Sequence, residues 1–283
     1  MASFTNFATL SYNGGTTNSN IVTGEILEAL TAVKTAVSAN YSAGDRITYA
    51  LSLVNTGTAA ITDYTVTDNL GGYTVGANTV YPLAYNAGTV RYYINGVLQT
   101  APTVTAGPPL SVTGLTVPAG GNAVLIYETT ATPVPPLATG SSITNTATIT
   151  GGGLTTPITA QATVDTANSA DLTISKALSP TTVTENGRIT YTFVISNTGN
   201  TEATATGNVV VTDTFAPILR NIAVTYNGTA WTEGTNYTYN AATGVFTTLA
   251  GQITVPAASF TQNTDGTFTV TPGTATLVIT GTV

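Results

Sequence analysis

The chain contains only two lysines, Lys34 and Lys176, which lie 142 residues apart (176 − 34). Each falls in a run that alternates like a β-strand, in phase with apolar residues such as Leu30 and Leu172. We therefore expect both amines to point into a protein core. A buried lysine is costly unless it is paired or chemically changed, because its charge loses the stabilisation that water provides.

Aspartate and asparagine residues recur together with the lysines. Asp68 and Asp213 end two copies of the same Val-Thr-Asp motif and alternate in phase with apolar residues. Asn145 and Asn6 lie in two similar runs, again on the apolar face. Lys, Asp and Asn are thus each predicted to point inward twice, in a chain that otherwise avoids charge.

A lysine, an aspartate and an asparagine in apolar surroundings can react together. Desolvation lowers the pKa of the lysine and raises that of the carboxylic acid. A neutral amine is a nucleophile, and a protonated carboxyl group can polarise the asparagine carbonyl, so that a Lys–Asn isopeptide bond forms with loss of ammonia. The simpler interpretation is a buried Lys–Asp ion pair with Asn as a hydrogen-bond partner. The recurrence of all three residue types favours the covalent bond.

Composition excludes many other functions. Only 7% of the 283 residues are charged, with 6 basic against 13 acidic residues and a net charge of −7, which argues against a nucleic-acid partner. The absence of His and Cys excludes zinc, haem and iron–sulfur sites, disulfides and serine–histidine catalysis. The acidic residues are too scattered for a calcium loop. We expect no cofactor, no metal and no enzyme activity beyond autocatalytic bond formation.

The local pattern is β throughout. Val, Ile, Thr and Tyr alternate in short runs, and Gly, Asn and Pro clusters separate the runs. This pattern predicts an all-β protein of antiparallel, Ig-like β-sandwiches. One stretch, Gly24–Val37, has the propensity of a helix, although the repeat argues that at least its second half is a strand.

An internal repeat predicts two homologous sandwiches in tandem. Its matching segments are Arg46–Tyr49 with Arg188–Tyr191, Asn55–Gly57 with Asn197–Gly199, Val66–Asp68 with Val211–Asp213 and, loosely, Pro118–Leu125 with Pro272–Ile279. The boundary is expected near Thr166–Ala170, which gives a first domain over residues 27–168 and a second over 169–283.

The two copies of the repeat do not contain the same set of strands. The first continues with two strand-like runs, Ser142–Thr150 and Ile158–Asp165, for which the second copy has no match before Val283. A match stands instead at the other end of the chain, where Phe4–Leu10 resembles Ile143–Ile149. Residues 18–26 would then be the second strand of a hairpin, which makes residues 1–26 a donor hairpin.

A sandwich that lacks two strands exposes core side chains and unpaired backbone groups, and so invites strand addition. A donor at one end of the chain and an acceptor at the other make a heterologous contact, which generates an open, head-to-tail homopolymer. In the alternative, the hairpin folds back onto the second domain of its own chain and closes a monomer.

The motifs resemble the bacterial surface-repeat family called domain of unknown function eleven, in two copies, and the isopeptide-forming domains of Gram-positive fimbrial proteins. The segments that carry the resemblance are Gly187–Tyr191, Asn197–Gly199, Val211–Asp213 and Ile143–Ala147. The resemblance implies a cross-link from Lys34 to Asn145 assisted by Asp68, within the first domain. It also implies one from Lys176, assisted by Asp213, to Asn6 of a neighbouring subunit.

The chain differs from the fimbrial family in its permuted ends and in having no Leu-Pro-x-Thr-Gly motif, which makes sortase-built pili unexpected. It also resembles the major subunits of endospore appendages. That resemblance implies an extracellular or endospore-surface location, reached when the mother cell lyses, and allows an anchoring or tip protein as a partner.

The first residues show no signal peptide, so a signal has been trimmed or the protein is made without one. No apolar run is long enough for a membrane span. The alternative function is that of an adhesin or glycan-binding surface protein with a self-docked N-terminus.

Overall fold

The computed structural model describes residues 2–26 and 29–283, and its regular elements are β-strands apart from one short 3-10 helix, η1 (Ala205–Gly207). All strand pairs with a described register are antiparallel, so the all-β prediction is confirmed. The chain divides into two compact units, Met1–Pro135 with Ser142–Asp165, and Pro136–Ser141 with Thr166–Val283. The second unit thus resumes at Thr166, beside the expected boundary.

The N-terminal hairpin consists of two short ladders. Strand β1 (Ala2–Asn6) pairs with β4 (Val22–Ile26), and β2 (Thr9–Tyr12) pairs with β3 (Gly15–Asn18). The alternative of a helix over Gly24–Val37 is wrong for the described residues of this stretch. They belong mainly to β4 and to strand β5 (Leu30–Ala36), and Leu27 and Glu28 lie outside the described residues.

The rest of the first unit is a two-sheet sandwich. One sheet has the order β13-β12-β16-β7-β5, with β11 also paired to β16, and the other has the order β14-β15-β8-β17-β18-β6. The short strands β9 and β10 pair with each other. The bounds after β5 are β6 (Asn40–Tyr41), β7 (Arg46–Asn55), β8 (Ile61–Asp68), β9 (Tyr73–Val75), β10 (Asn78–Val80), β11 (Leu83–Tyr85), β12 (Arg91–Ile94), β13 (Val97–Leu98), β14 (Thr103–Thr105), β15 (Leu110–Val117), β16 (Asn122–Ala131), β17 (Ser142–Gly151) and β18 (Ile158–Thr166).

The second unit has one five-stranded sheet, in the order β19-β20-β28-β22-β23, and a three-stranded sheet, β21-β25-β24. Strands β26 and β27 form a separate hairpin. The bounds are β19 (Leu172–Ser179), β20 (Arg188–Asn197), β21 (Thr212–Thr214), β22 (Arg220–Tyr226), β23 (Thr229–Trp231), β24 (Tyr237–Asn240), β25 (Val245–Thr248), β26 (Ser259–Gln262), β27 (Phe268–Thr271) and β28 (Gly273–Thr282).

Alternating apolar residues build both cores. In β7 and β20 every second side chain is buried, as expected for strands with one face against a core. The buried side chains of the central strands include Ile47, Tyr49, Leu51 and Leu53 in the first unit and Ile189, Tyr191, Phe193 and Ile195 in the second. The two sets are the same positions of the repeat.

The repeated Asn-Thr-Gly motif has a structural role. The buried Asn55 side chain accepts a hydrogen bond from the backbone N–H of Gly57 at 2.9 Å and donates one to the carbonyl of Pro118 at 3.0 Å. Asn197 makes the matching bonds to Gly199 and to Pro256, at 2.9 and 3.0 Å. A Cβ atom on Gly199 would come within 2.2 Å of a backbone oxygen, so the motif requires glycine there.

These bonds correct one detail of the repeat. The residue equivalent to Pro118 is Pro256 rather than Pro272, because the hairpin β26–β27 is inserted before β28. The strand register agrees, since Leu51 pairs with Leu125 in the first unit and its counterpart Phe193 pairs with Leu277 in the second.

Candidate cross-linking sites

The first unit brings one complete set of predicted residues together. Lys34 lies on β5 of one sheet, whereas Asp68 on β8 and Asn145 on β17 belong to the other sheet. The lysine Nζ is 2.5 Å from Asp68 Oδ2. The three residues are 4%, 1% and 0% exposed, in that order, so the inward orientation that alternation predicts is present here.

Asn145 is held without hydrogen bonds. Both its Oδ1 and its Nδ2 are buried and have no hydrogen-bond partner. A buried polar group in this state costs about 1–3 kcal/mol, which a structural asparagine ordinarily avoids by finding partners. The Asn145 side chain therefore lacks the partners that usually hold a buried structural amide.

Two tyrosines complete this site, and the sequence analysis did not identify them. The hydroxyl of Tyr127 donates a hydrogen bond to Asp68 Oδ2. The rings of Tyr49 and Tyr127 stack with their centroids 5.8 Å apart, and Lys34 Nζ lies 4.9 Å from the centroid of Tyr49. A signal was present for Tyr49, because it ends the repeated Arg-Ile-Thr-Tyr motif at a core-facing position.

The surroundings of Lys34 favour a reactive amine. Burial lowers its pKa from 10.5 to about 8, although the nearby charge of Asp68 and its hydrogen bond act in the opposite direction. At pH 7 this change raises the neutral fraction of the amine roughly 300-fold. The neutral form is the nucleophile, so the site supplies it at physiological pH.

The second unit has the same ion pair in a different setting. Lys176 Nζ is 2.5 Å from Asp213 Oδ2 and 4.5 Å from the ring centroid of Tyr191. The rings of Phe193 and Phe215 are also near the amine, at 5.4 and 5.6 Å. The prediction that Lys176 is buried is wrong for this chain on its own, because its side chain is 40% exposed.

The exposure has a clear structural cause. In the first unit β8 pairs with β15 on one side and with β17 on the other. In the second unit the equivalent strand, β21, pairs with β25, and no described strand takes the position of β17. The face of β19 that carries Lys176 is left open as a result, with Ile174 at 54% and Leu178 at 37% exposed.

Around Asn6 the hairpin pairs in the way that β17 and β18 pair around Asn145, although its next ladder, in which Thr9 pairs with Asn18, is one residue out of step. Asn145 pairs with Ala162 and Ile143 with Val164, and the hairpin reproduces these pairs as Asn6 with Val22 and Phe4 with Gly24. The predicted apolar face is not buried, however. Residues 4–23 are all exposed, because β1 to β4 form only two-stranded sheets and no second sheet covers them.

Other kinds of site find no support among the described residues. Over residues 2–26 and 29–283, no three or more Asp and Glu side chains gather in a group that would hold a metal ion. In the same ranges, no helix has the length and apolar character needed to cross a membrane.

No protein-family model and no curated protein sequence matches the chain. Solved structures are similar in fold. The major pilin subunit BcpA of Bacillus cereus is 14% identical over 96% of this chain and 73% of that one, with a TM-score of 0.35. The pilus backbone protein RrgB of Streptococcus pneumoniae is 13% identical over 86% of this chain and 55% of that one, with a TM-score of 0.36.

The C-terminal fragment of the major pilin GBS80 of Streptococcus agalactiae gives 13% identity over 87% of both chains, with a TM-score of 0.36. At these identities and TM-scores the similarity carries no argument about function, which has to come from the residues of the sites.

Proposed function

We propose that this chain is the structural subunit of an extracellular filament, in which the N-terminal hairpin of one subunit completes the second unit of the next. The observation that carries the proposal is the difference between the lysine–aspartate pair of the first unit and that of the second. The Lys34–Asp68 pair is buried beneath a strand that bears Asn145. In the Lys176–Asp213 pair the lysine is 40% and the aspartate 17% exposed, beside a strand position that no described residue fills.

The first unit supplies the register for docking. There β17 pairs with β8 through Ala147 opposite Asp68 and Thr148 opposite Thr67. Transferred to the second unit, this register puts Ala8 of the incoming hairpin opposite Asp213 and Thr9 opposite Thr212. Asn6 then takes the place of Asn145, beside Lys176.

Apolar burial and backbone pairing both favour docking. Phe4, Leu10 and Val22 are 54%, 63% and 56% exposed in the hairpin. Complete burial of such a side chain is worth about 1.5–3 kcal/mol, so the partial burial expected here contributes less for each. The open edge of β21 adds backbone hydrogen bonds, as in other cases of strand addition.

The geometry of the contact determines the kind of assembly. Donor and acceptor are different surfaces of the chain, and such heterologous contacts propagate into an open filament unless they close a ring. Each subunit would hold one internal Lys34–Asn145 bond and contribute to one Lys176–Asn6 bond with a neighbour. The filament would lie outside the cell or on the endospore surface, with a separate anchoring or tip protein as a possible partner.

The docking register can be tested with engineered cysteines, because the chain has none of its own. We expect the double variant T9C/T212C to form disulfide-linked chains of subunits under mild oxidation, since the two Cα atoms would face each other across adjacent strands within disulfide reach. Non-reducing electrophoresis measures the ladder.

The matched control is T9C/T214C, which moves the acceptor two residues along the same face of β21 and should link poorly. Equal ladders from both variants, or none from T9C/T212C in assembled filaments, would contradict the register.

A further inference from the structure

Tyr49 has a buried hydroxyl group, although packing in the core would require only its ring. The side chain is fully buried, and its hydroxyl has no hydrogen-bond partner. Leaving a buried donor unpaired costs about 1–3 kcal/mol. The Asn145 amide lies close enough to act on the pKa of the Tyr49 hydroxyl, and it is also buried and unpaired. Tyr49 lies directly opposite Tyr127 in the β7–β16 ladder and next to Lys34 in space.

We propose that the Tyr49 hydroxyl is a catalytic group that stabilises the oxyanion formed when Lys34 attacks Asn145, and that Tyr191 does the same for Lys176. The inference rests on the proposed cross-linking function and assigns its chemistry to a further residue. An unpaired donor close to the reacting amide is fixed before reaction and gains a full hydrogen bond only as charge develops on the oxygen, which is the arrangement that lowers a barrier most.

The reaction exchanges the Cγ–Nδ2 bond of Asn145 for a bond from Cγ to Lys34 Nζ. The neutral Lys34 Nζ attacks Cγ of Asn145, and the C=O electron pair moves onto Oδ1, where the Tyr49 O–H donates a hydrogen bond. Asp68 takes a proton from Nζ and delivers it to Nδ2. The Cγ–Nδ2 bond then breaks, ammonia leaves, and the Nζ–Cγ amide remains. Tyr49 keeps its proton throughout.

The repeat distinguishes Tyr49 from Tyr127. Tyr49 and Tyr191 are equivalent positions, and their ring centroids lie 4.9 and 4.5 Å from the respective lysine Nζ atoms. Tyr127, which donates to Asp68, corresponds to Ile279 in the second unit, because Tyr49 pairs with Tyr127 and Tyr191 pairs with Ile279. Of these two positions, that of Tyr49 is therefore the one with a tyrosine hydroxyl in both units.

The protonation state of Tyr49 agrees with a donor. Burial and, after it, the charge of Asp68 raise its pKa well above the ordinary value. The Asn145 side chain, which lies close to the hydroxyl without meeting hydrogen-bond geometry, lowers the pKa only in part. The hydroxyl therefore stays protonated across the pH range in which Lys34 becomes neutral.

The test compares Tyr49→Phe with Tyr64→Phe in the full chain. Tyr64 is a matched control, because its hydroxyl is also buried without a hydrogen-bond partner. Each chain is made by pulse-labelled cell-free synthesis at low concentration and quenched in denaturant at intervals. Intact mass then gives the fraction that has lost one ammonia. We expect Y49F to react about 100-fold more slowly than the parent, as for removal of one oxyanion donor, and Y64F to react at the parental rate.

Each outcome has a separate meaning. A parent chain that never loses ammonia contradicts the cross-linking function itself. A reactive parent with an equally fast Y49F, or with a Y64F as slow as Y49F, overturns the role of Tyr49. Tyr191→Phe is a second variant that separates a loss of chemistry from a loss of folding. In this variant the first unit is unchanged and should still lose ammonia at the parental rate, whereas the formation of bonds between subunits should slow. Unchanged linkage in Y191F would also overturn the inference.

Discussion

A chain without residues 1–20 is expected to fold and to stay monomeric. Within the deleted segment the side chains of residues 4–20 are all exposed in the free subunit, so its loss removes little burial from either core. It does remove Asn6 and the whole of β1 to β3, which would supply the proposed donor surface. Electron microscopy and sedimentation should show single subunits at concentrations where the parent forms filaments.

The truncated chain also gives a sharper test when it is mixed with the parent. Its second unit still accepts a hairpin, but it has none to donate, so it should end growing filaments and shorten them in proportion to its share of the mixture. Filaments built by the truncated chain alone would contradict hairpin donation. A parent that is itself monomeric at every concentration would instead favour the self-docked hairpin.

Lys176→Ala should give filaments that assemble and then fall apart on boiling in detergent. Strand pairing and apolar contacts remain, but the amine that would bond to Asn6 is gone. Asn6→Ala should have the same effect, and it is the cleaner variant because it leaves the Lys176–Asp213 ion pair intact. Electrophoresis after boiling should show single subunits for both variants and ladders for the parent.

Asn13→Ala is the control within the hairpin, since Asn13 lies in the exposed turn between β2 and β3 and has no assigned role. Its ladders should equal those of the parent. If Lys176→Ala filaments withstand boiling as well as the parent filaments do, a covalent bond at Lys176 is not what holds the subunits together.

Most of the predictions about the candidate sites came from the alternation of side chains along β-strands. A period of two determines which side chains face a core, and it placed Lys34, Asp68 and Asn145 correctly inside the first unit. This alternation does not show whether a second sheet covers the apolar face of a strand. Lys176 therefore has the predicted direction and neighbours but remains 40% exposed.

Two other features that the sequence did not predict correctly, the role of Tyr127 and the counterpart of Pro118, have local causes. Tyr127 has no tyrosine counterpart in the second copy, so comparison of the repeats gave no reason to select it. The sequence match gave Pro272 instead of Pro256 as the counterpart of Pro118, because the hairpin β26–β27 lies between Pro256 and β28. The strand that follows was matched two residues out of register, with Ile279 instead of Leu277 as the counterpart of Leu125, and such a shift leaves parity unchanged.

Intact mass spectrometry of the parent filaments, boiled in denaturant, tests both cross-links at once. We expect a series of subunit multiples in which every subunit is lighter by one ammonia for its internal bond and every junction is lighter by one more. Peptides that join Asn6 to Lys176 should then be found after digestion. A single peak at the full mass of one chain would contradict both cross-links.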